Sequence, residues 1–282
     1  MFGPVSKAVK KGIHYPALNR SGFRQYIFSF NENSAIIPDK TEIYMDMTKP
    51  MTCYYINSSH NTYLEGHQLY GKSTCDMYKR VLLLGCRCVE LDCWDGPNGQ
   101  PKVTHGKTLC NDIKFVDVIE TINEYAFVTS PYPVVLSFEM HCSLEQQEKI
   151  ATILVDVLKS RIYMAKTGMQ LYPSPEELQH KFIIKGKKPP MGSDEIALAY
   201  QKAGPEGSKA PRKKEHKVKV SKNLTPLIGM DGCKFSMTED RTPMSISSVN
   251  SKKLKKLAKE HKPVNLINYH KFHFTRIYPH AL

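Results

Sequence analysis

The sequence predicts an α/β fold, a TIM-like (β/α) barrel that is split by a linker and is incomplete at its C-terminal end. Three observations predict this fold class. Short apolar runs alternate with segments of helical periodicity, polar residues follow the apolar runs, and a basic stretch rich in Pro, Gly and Lys interrupts the alternation. Functional side chains that follow the strands are typical of such barrels.

Four apolar runs before the interruption are predicted to be strands. They are Thr52–Asn57, Cys86–Trp94, Pro133–Met140 and Lys181–Lys187. The clearest helix begins at Ser143, where Gln146 completes the capping-box pattern S-L-E-Q. This helix is predicted to pack on the sheet through a stripe formed by Ile150, Ile153, Leu154, Val157 and Leu158.

Two strands and one helix are predicted after the interruption. The strands are Leu227–Phe235 and Phe274–Pro279, and a lysine-rich helix lies between them near Ser251–Glu260. About six strands leave an unpaired edge, because a closed (β/α)₈ barrel needs eight. We therefore expect the isolated chain to be poorly soluble, or to bind a partner or a missing segment that completes the barrel.

The composition is that of a globular protein, with 282 residues of which 41% are hydrophobic. The chain has no run of about 18 apolar residues and no apolar core of a signal peptide, so we predict no transmembrane segment and a cytoplasmic location. The eight cysteines lack metal-binding spacing and are predicted to be reduced.

The net charge of +13 favours an anionic partner. The excess is concentrated in Gln201–Lys222, which has eight Lys or Arg and two Glu, a net charge of +6. No aromatic residues are interleaved in this stretch, so nucleic acid is not predicted as the partner. We expect this segment to promote docking on an anionic membrane, the alternative being a solvated tether.

Glu90 and Asp92 lie on one face of a predicted strand that is otherwise apolar. Burying two like charges is costly unless a cation compensates them. Glu139 ends the next strand, and Asn61 follows the first. Three carboxylates and an amide oxygen suit Ca²⁺ better than Zn²⁺, so the sequence predicts a calcium site.

Histidines and cations follow the same strands. His60 and His105 suit phosphodiester chemistry, in which a leaving alkoxide is protonated, although a lone histidine is more often structural. Two pairs with i, i+2 spacing, Lys185 with Lys187 and Arg276 with Tyr278, each share one face of a strand. They predict recognition of a multiply phosphorylated ring, the alternative being solvated surface side chains.

Several segments together resemble eukaryotic phosphoinositide-specific phospholipase C. The segments "SSHNTYL", "CRCVELDCWDGPNGQPKVTHG", "SPYPVVLSFEMHCSLEQQ" and "FIIKGKK" resemble the X half of its catalytic barrel, and "TRIYP" resembles the start of the Y half. The resemblance covers Met45–Pro190 and Leu224–Pro279. It implies an EF-hand-like tail at 1–44, the X half at 45–190, a basic linker at 191–223 and a partial Y half at 224–282.

The resemblance also implies a role for each site residue. Asn61, Glu90, Asp92 and Glu139 would bind Ca²⁺, His60 would stabilise the transition-state phosphate, and His105 would assist the leaving group. Lys185, Lys187, Arg276 and Tyr278 would hold the inositol ring and its phosphates, together with Ser248 or, in the other alignment, Ser247. The implied reaction is Ca²⁺-dependent cleavage of phosphatidylinositol 4,5-bisphosphate at the membrane, through a cyclic phosphodiester and with Glu90 or Glu139 as general base.

Two departures from the family pattern keep other functions open. Met140 stands where the family usually has Asn beside the metal-binding glutamate, and the linker is basic where the family's is often acidic. One alternative is a truncated or inactive phosphoinositide-binding or scaffold relative. Another is a barrel phosphodiesterase for soluble glycerol phosphodiesters, which would not need Lys185, Lys187 and Arg276.

Overall fold

The computed structural model describes residues 5–10, 13–29, 43–165, 171–189, 220–237, 244–260 and 262–278. The chain divides into two compact units, Met1–Asp46 and Met47–Leu282. The first unit contains the antiparallel pair β1 (Val5–Lys10) and β2 (Ile13–Leu18) and the helix α1 (Arg20–Ile27). Most of the basic segment Gln201–Lys222 lies outside the described residues, as does most of the predicted linker.

The second unit is built on one eight-stranded sheet. Its strands are β5 (Cys88–Trp94), β6 (Lys102–Val103), β7 (Ile113–Lys114), β8 (Val134–Met140), β9 (Phe182–Gly186), β10 (Ile228–Lys234), β11 (Ser245–Asn250) and β12 (Phe274–Tyr278). The order is β12-β11-β10-β9-β8-β5-β6-β7. Five neighbouring pairs are parallel, namely β5–β8, β8–β9, β9–β10, β10–β11 and β11–β12. The pairs β5–β6 and β6–β7 are antiparallel and extend the sheet beyond β5. The predicted α/β barrel-type fold is confirmed.

Helices cover the sheet and share its apolar core. They are α2 (Cys75–Leu83), α3 (Phe115–Tyr125) and α4 (Leu144–Leu158), followed later by α5 (Ser251–Glu260) and α6 (Lys262–His270). A two-residue pair, β3 (Leu64–Glu65) and β4 (Lys72–Ser73), forms a small separate sheet. Buried side chains from β5, α3 and α4 belong to one cluster, as alternating strand residues and helical stripes require.

The helix predicted from Ser143 is present as α4, but only half of the capping box forms. Ser143 Oγ accepts a hydrogen bond from Gln146 N at 3.4 Å. The Gln146 side chain instead exchanges hydrogen bonds with the backbone of Gly96, and Asp95 Oδ1 accepts from Ser143 N at 3.0 Å. The helix start is thereby tied to the end of β5.

One predicted strand is absent, and one observed strand was not predicted. Thr52–Asn57 is not a strand, because the chain turns through a 3₁₀ segment at Met51–Cys53 and then meets β5 only at an isolated bridge between Ser58 and Cys88. Conversely, β11 was missed, because serines occupy two of its three buried positions and hide the apolar alternation. The sheet therefore has six parallel strands, the number that was predicted, but one of the six is not among the predicted ones.

Within the part of the chain that the structure describes, the sheet does not close through hydrogen bonds. β12 pairs only with β11. A cavity of about 540 Å³ is lined both by β12 and by residues 54–60. Among the described residues, no helix combines the length and apolar character needed to cross a bilayer.

Candidate active site

Most of the predicted site residues line one cavity at the carboxyl ends of the parallel strands, whereas Asn61, Asp92 and His105 are not among its lining residues. The cavity has a volume of about 820 Å³ and is lined by His60, Glu90, Glu139, Lys185, Lys187, Ser248, Arg276 and Tyr278. Parallel strands place residues that follow or end each strand at the same edge of the sheet. The chain positions that are far apart in sequence therefore meet in one place.

Three carboxylates form a compact group at this edge. One oxygen from each of Glu90, Asp92 and Glu139 lies within 4.8 Å of the others. The grouping follows from strand register, since Asp92 of β5 pairs with Glu139 of β8. Glu90 and Asp92 are only 3% and 5% exposed, whereas Glu139 is exposed to the cavity.

The environment of Asp92 favours binding of a cation. Its Oδ1 atom is buried and has no hydrogen-bond partner among the described residues. Burial raises the pKa of Asp92 to about 6, and the nearby charges of Glu139 and Glu90 act in the same direction. A divalent cation bound by this oxygen would replace the missing partner and offset the repulsion.

Glu90 is held in its ionised form by two neighbours. Its Oε1 atom accepts a hydrogen bond from Arg276 Nη1 at 2.8 Å, and its Oε2 atom accepts one from Asn61 N at 2.9 Å. Burial alone would raise the pKa of Glu90, but these hydrogen bonds and the charge of Arg276 outweigh it and leave the pKa lowered. Glu90 is therefore a carboxylate at neutral pH.

Asn61 adopts a backbone conformation that few residues tolerate, with φ at 44°. Its amide nitrogen donates to Gln68 Oε1 at 2.8 Å. The amide oxygen is the only atom of that side chain with ligand chemistry, because the nitrogen can only donate. The left-handed turn places the backbone of Asn61 beside Glu90, and the amide oxygen of Asn61 stays a predicted metal ligand.

The two histidines are held differently. His105 Nδ1 lies 2.6 Å from the carbonyl oxygen of Gln68, and because a carbonyl can only accept, Nδ1 carries the proton. Its Nε2 atom lies 3.4 Å from the amide nitrogen of Asn61, from which it accepts when Nδ1 carries the proton. His60 Nε2 lies 3.9 Å from Glu90 Oε2, beyond hydrogen-bond distance, and its side chain is 67% exposed.

Cations line the same cavity as the carboxylates, and Arg276 is in direct contact with Glu90. Lys185 lies with its ammonium 3.2 Å from Ser137 Oγ, and burial lowers its pKa, with the charge of Arg276 acting in the same direction. Ser248 pairs with Arg276 in the sheet and lines the cavity. Ser247 is fully buried on the other face of β11, so the geometry favours Ser248 of the two serines.

A family model for phosphatidylinositol-specific phospholipase C, X domain, matches residues 47–188. The chain belongs to this family. The 1-phosphatidylinositol 4,5-bisphosphate phosphodiesterase delta-3-A of Danio rerio is 39% identical over 282 residues, covering 94% of this chain and 36% of that relative. The beta-4 phosphodiesterase of Homo sapiens is 47% identical over 197 residues, covering 67% of this chain and 16% of that relative.

A solved structure has the same fold. The crystal structure of S. officinalis PLC21 superposes with a TM-score of 0.73 at 33% identity, covering 95% of this chain and 35% of that chain. The phospholipase C resemblance and the fold class are thereby confirmed. This chain spans only about a third of the length of PLC21 and of the Danio rerio relative.

Sequence reasoning missed the residues that support the acidic group of this phospholipase C domain. Tyr63 is fully buried and donates to Asp92 Oδ2 at 2.7 Å. His141 Nε2 lies 3.0 Å from Glu139 Oε1 and stacks on Trp94, with ring centroids 4.1 Å apart. In the sequence, Tyr63 cannot be distinguished from an ordinary core residue. His141 gave a signal, since it follows Glu139 at the i, i+2 spacing that places side chains on one face of a strand.

Met140 also lines the cavity, at the position where the family usually has Asn. The carboxylate of Glu139 nevertheless has a polar neighbour, because His141 contacts it. The departure at Met140 therefore does not leave Glu139 unsupported.

Proposed function

We propose that this domain cleaves phosphatidylinositol 4,5-bisphosphate to diacylglycerol and inositol 1,4,5-trisphosphate, with Ca²⁺ held by Asn61, Glu90, Asp92 and Glu139. The observation that carries the proposal is one cavity that brings Glu90 and Glu139 of the acidic group together with Lys185, Lys187 and Arg276. The names of the curated relatives, which are 4,5-bisphosphate phosphodiesterases, support the same substrate. The chain would act at an anionic phosphoinositide membrane surface.

We also propose how the chain is divided into segments and where in the cell it acts. Residues 1–44 form a lead-in segment related to an EF-hand region, 45–190 the X half, 191–223 the basic linker and 224–282 part of the Y half. We place the protein in the cytoplasm, peripheral to the membrane, because its substrate is a membrane lipid.

The donor set fits Ca²⁺ in chemistry and in number. Ca²⁺ takes six to eight oxygen ligands in an irregular arrangement. Four protein ligands would therefore leave coordination positions for water or substrate. The buried, unpartnered Oδ1 of Asp92 supports a cation at this point. When bound, Ca²⁺ would stabilise negative charge on the phosphate and lower the pKa of the attacking hydroxyl.

The proton transfers fall to residues of this chain. In the first step the 2-hydroxyl of the inositol attacks the 1-phosphate, a new P–O bond forms, and the bond to diacylglycerol breaks. We assign the general base to Glu139, because it is exposed to the cavity while both oxygens of Glu90 already accept hydrogen bonds. His105, fixed through Nδ1 by Gln68, would enter this step as an imidazolium with a proton on both ring nitrogens and would give the Nε2 proton to the leaving oxygen.

In the second step water opens the cyclic phosphodiester, and the proton transfers run in reverse. His105 Nε2 takes a proton from the water, and the acid formed in the first step returns one to the 2-oxygen. His60 would donate a hydrogen bond to the phosphate, on which negative charge develops in both steps. Lys185, Lys187, Ser248 and Arg276 would hold the ring phosphates, and Tyr278 would pack on the ring.

The decisive experiment is hydrolysis of vesicles containing phosphatidylinositol 4,5-bisphosphate by the purified protein, with and without Ca²⁺. We expect release of inositol trisphosphate that depends on Ca²⁺ and stops in excess chelator. Unchanged turnover in chelator would refute the calcium assignment. Binding of the lipid without hydrolysis would instead support a phosphoinositide-binding role, which the direct Arg276–Glu90 ion pair favours because it occupies a predicted metal ligand.

Tyr63→Phe is expected to weaken Ca²⁺ binding by about 10- to 100-fold, measured by titration calorimetry on the purified protein. The hydroxyl fixes Asp92 through Oδ2 and so leaves Oδ1 for the metal. Tyr78→Phe is the matched control, because Tyr78 is equally buried but donates to the backbone carbonyl of Glu90 at 2.8 Å. Equal Ca²⁺ affinities in the two variants would contradict a positioning role for Tyr63.

A further inference from the structure

We propose that Lys234 is an additional phosphate-binding residue of the cavity, an inference that rests on the proposed function. Lys234 is the last residue of β10 and is exposed. It lines the same cavity as Lys187, Ser248 and Arg276. The ligand class is a ring that carries phosphates at more than one position.

Strand order places Lys234 beneath any ligand that reaches the other phosphate-binding residues. In the sheet, β10 lies between β9, which leads into Lys187, and β11, which carries Ser248. A molecule that contacts both of these side chains must therefore lie across the end of β10. Lys234 is the side chain that β10 presents there.

Register confirms that Lys234 points to the cavity side of the sheet. Lys234 pairs with Ser248, which in turn pairs with Arg276, so the three residues form one row across three adjacent strands. Residues that pair directly in neighbouring strands project from the same face. On the opposite face of β10, Asp231 accepts a hydrogen bond from the backbone of Lys188 at 2.9 Å.

The residue before Lys234 on this face is a glycine. Gly232 lines the cavity and has no side chain, and a Cβ atom at this position would lie 3.7 Å from Lys185 Cε. The aliphatic part of the Lys185 side chain therefore lies over the backbone of Gly232. Two lysines that line one cavity from adjacent strands suit a ligand with separated phosphates, each of which a lysine binds as a mobile point charge.

The test is binding of inositol 1,4,5-trisphosphate to the purified protein, measured by titration calorimetry. Lys234→Met is expected to raise the Kd by about 5- to 10-fold, the effect of losing one charged hydrogen bond at a partly solvated position. Lys234→Arg is expected to retain most of the affinity. Lys259→Met is the matched control, because it removes the same charge from an exposed position in α5 outside the cavity.

Equal Kd values for Lys234→Met and Lys259→Met would overturn the inference. An Arg276→Met variant separates this result from failure of the proposed function. If Arg276→Met weakens binding and Lys234→Met does not, only the role of Lys234 is wrong. If neither variant changes the Kd, or if the unmodified protein does not bind the trisphosphate, the ring-phosphate site itself is wrong.

Discussion

Replacement of His60 by alanine is expected to lower the rate of phosphodiester cleavage by about 10²- to 10⁴-fold, with little change in substrate affinity. The His60 side chain is exposed at the cavity, and its Nε2 atom is too far from Glu90 for a hydrogen bond, so the ring can bind the phosphate instead. A group that stabilises charge only as it develops affects the turnover number and not ground-state binding. Steady-state kinetics on lipid vesicles would measure both quantities.

His180→Asn is the control for this experiment. His180 is an exposed histidine that precedes β9, at the end of the sheet opposite the cavity, and its φ of 58° is one that asparagine tolerates. We expect turnover close to that of the unmodified protein. A His60→Ala variant that changes only the apparent affinity would contradict a transition-state role.

The acidic site could be predicted from sequence because its signal is local. Glu90 and Asp92 break an otherwise apolar strand at i, i+2, and that spacing alone places both carboxylates on one face. Their register with Glu139 could not be read from the sequence, although both strands were predicted. The pairing of Asp92 with Glu139 depends on how β5 and β8 align.

Residues whose role depends on a distant partner were not predictable. Tyr63 looks like a core residue until its hydroxyl meets Asp92, a residue 29 positions away. Lys234 looks like a surface lysine until β10 is placed between β9 and β11. In the same way, Ser245 and Ser247 are buried by neighbouring strands, and their small polar side chains gave no strand signal.

The Asp92→Asn substitution is expected to have opposite effects on activity and on the stability of the metal-free protein. Hydrolysis should fall by at least about 10²-fold, because loss of a charged ligand weakens Ca²⁺ binding and removes its contribution to the reaction. Without metal, however, the variant should be more stable than the unmodified protein at pH 7. Chemical denaturation in the presence of chelator would measure this difference.

The sign of the stability effect follows from the pKa of Asp92. Burial raises that pKa from 3.8 to about 6, so between these values the folded protein binds more protons than the unfolded chain. The stability contributed by Asp92 is therefore fully present below about pH 4 and is lost as the pH rises through 6. Above this window, the ionised carboxylate costs the metal-free fold about 3 kcal/mol, and Asp92→Asn removes this cost.

Asp156→Asn provides the matched control, since it makes the same chemical change at an exposed position of α4. We expect it to leave activity, stability and their pH dependence unchanged. Added Ca²⁺ should stabilise the unmodified protein and Asp156→Asn but not Asp92→Asn, because only the first two retain the full ligand set. If metal-free Asp92→Asn is instead less stable at pH 7, then the buried carboxylate is compensated by a contact within the protein and does not require a cation.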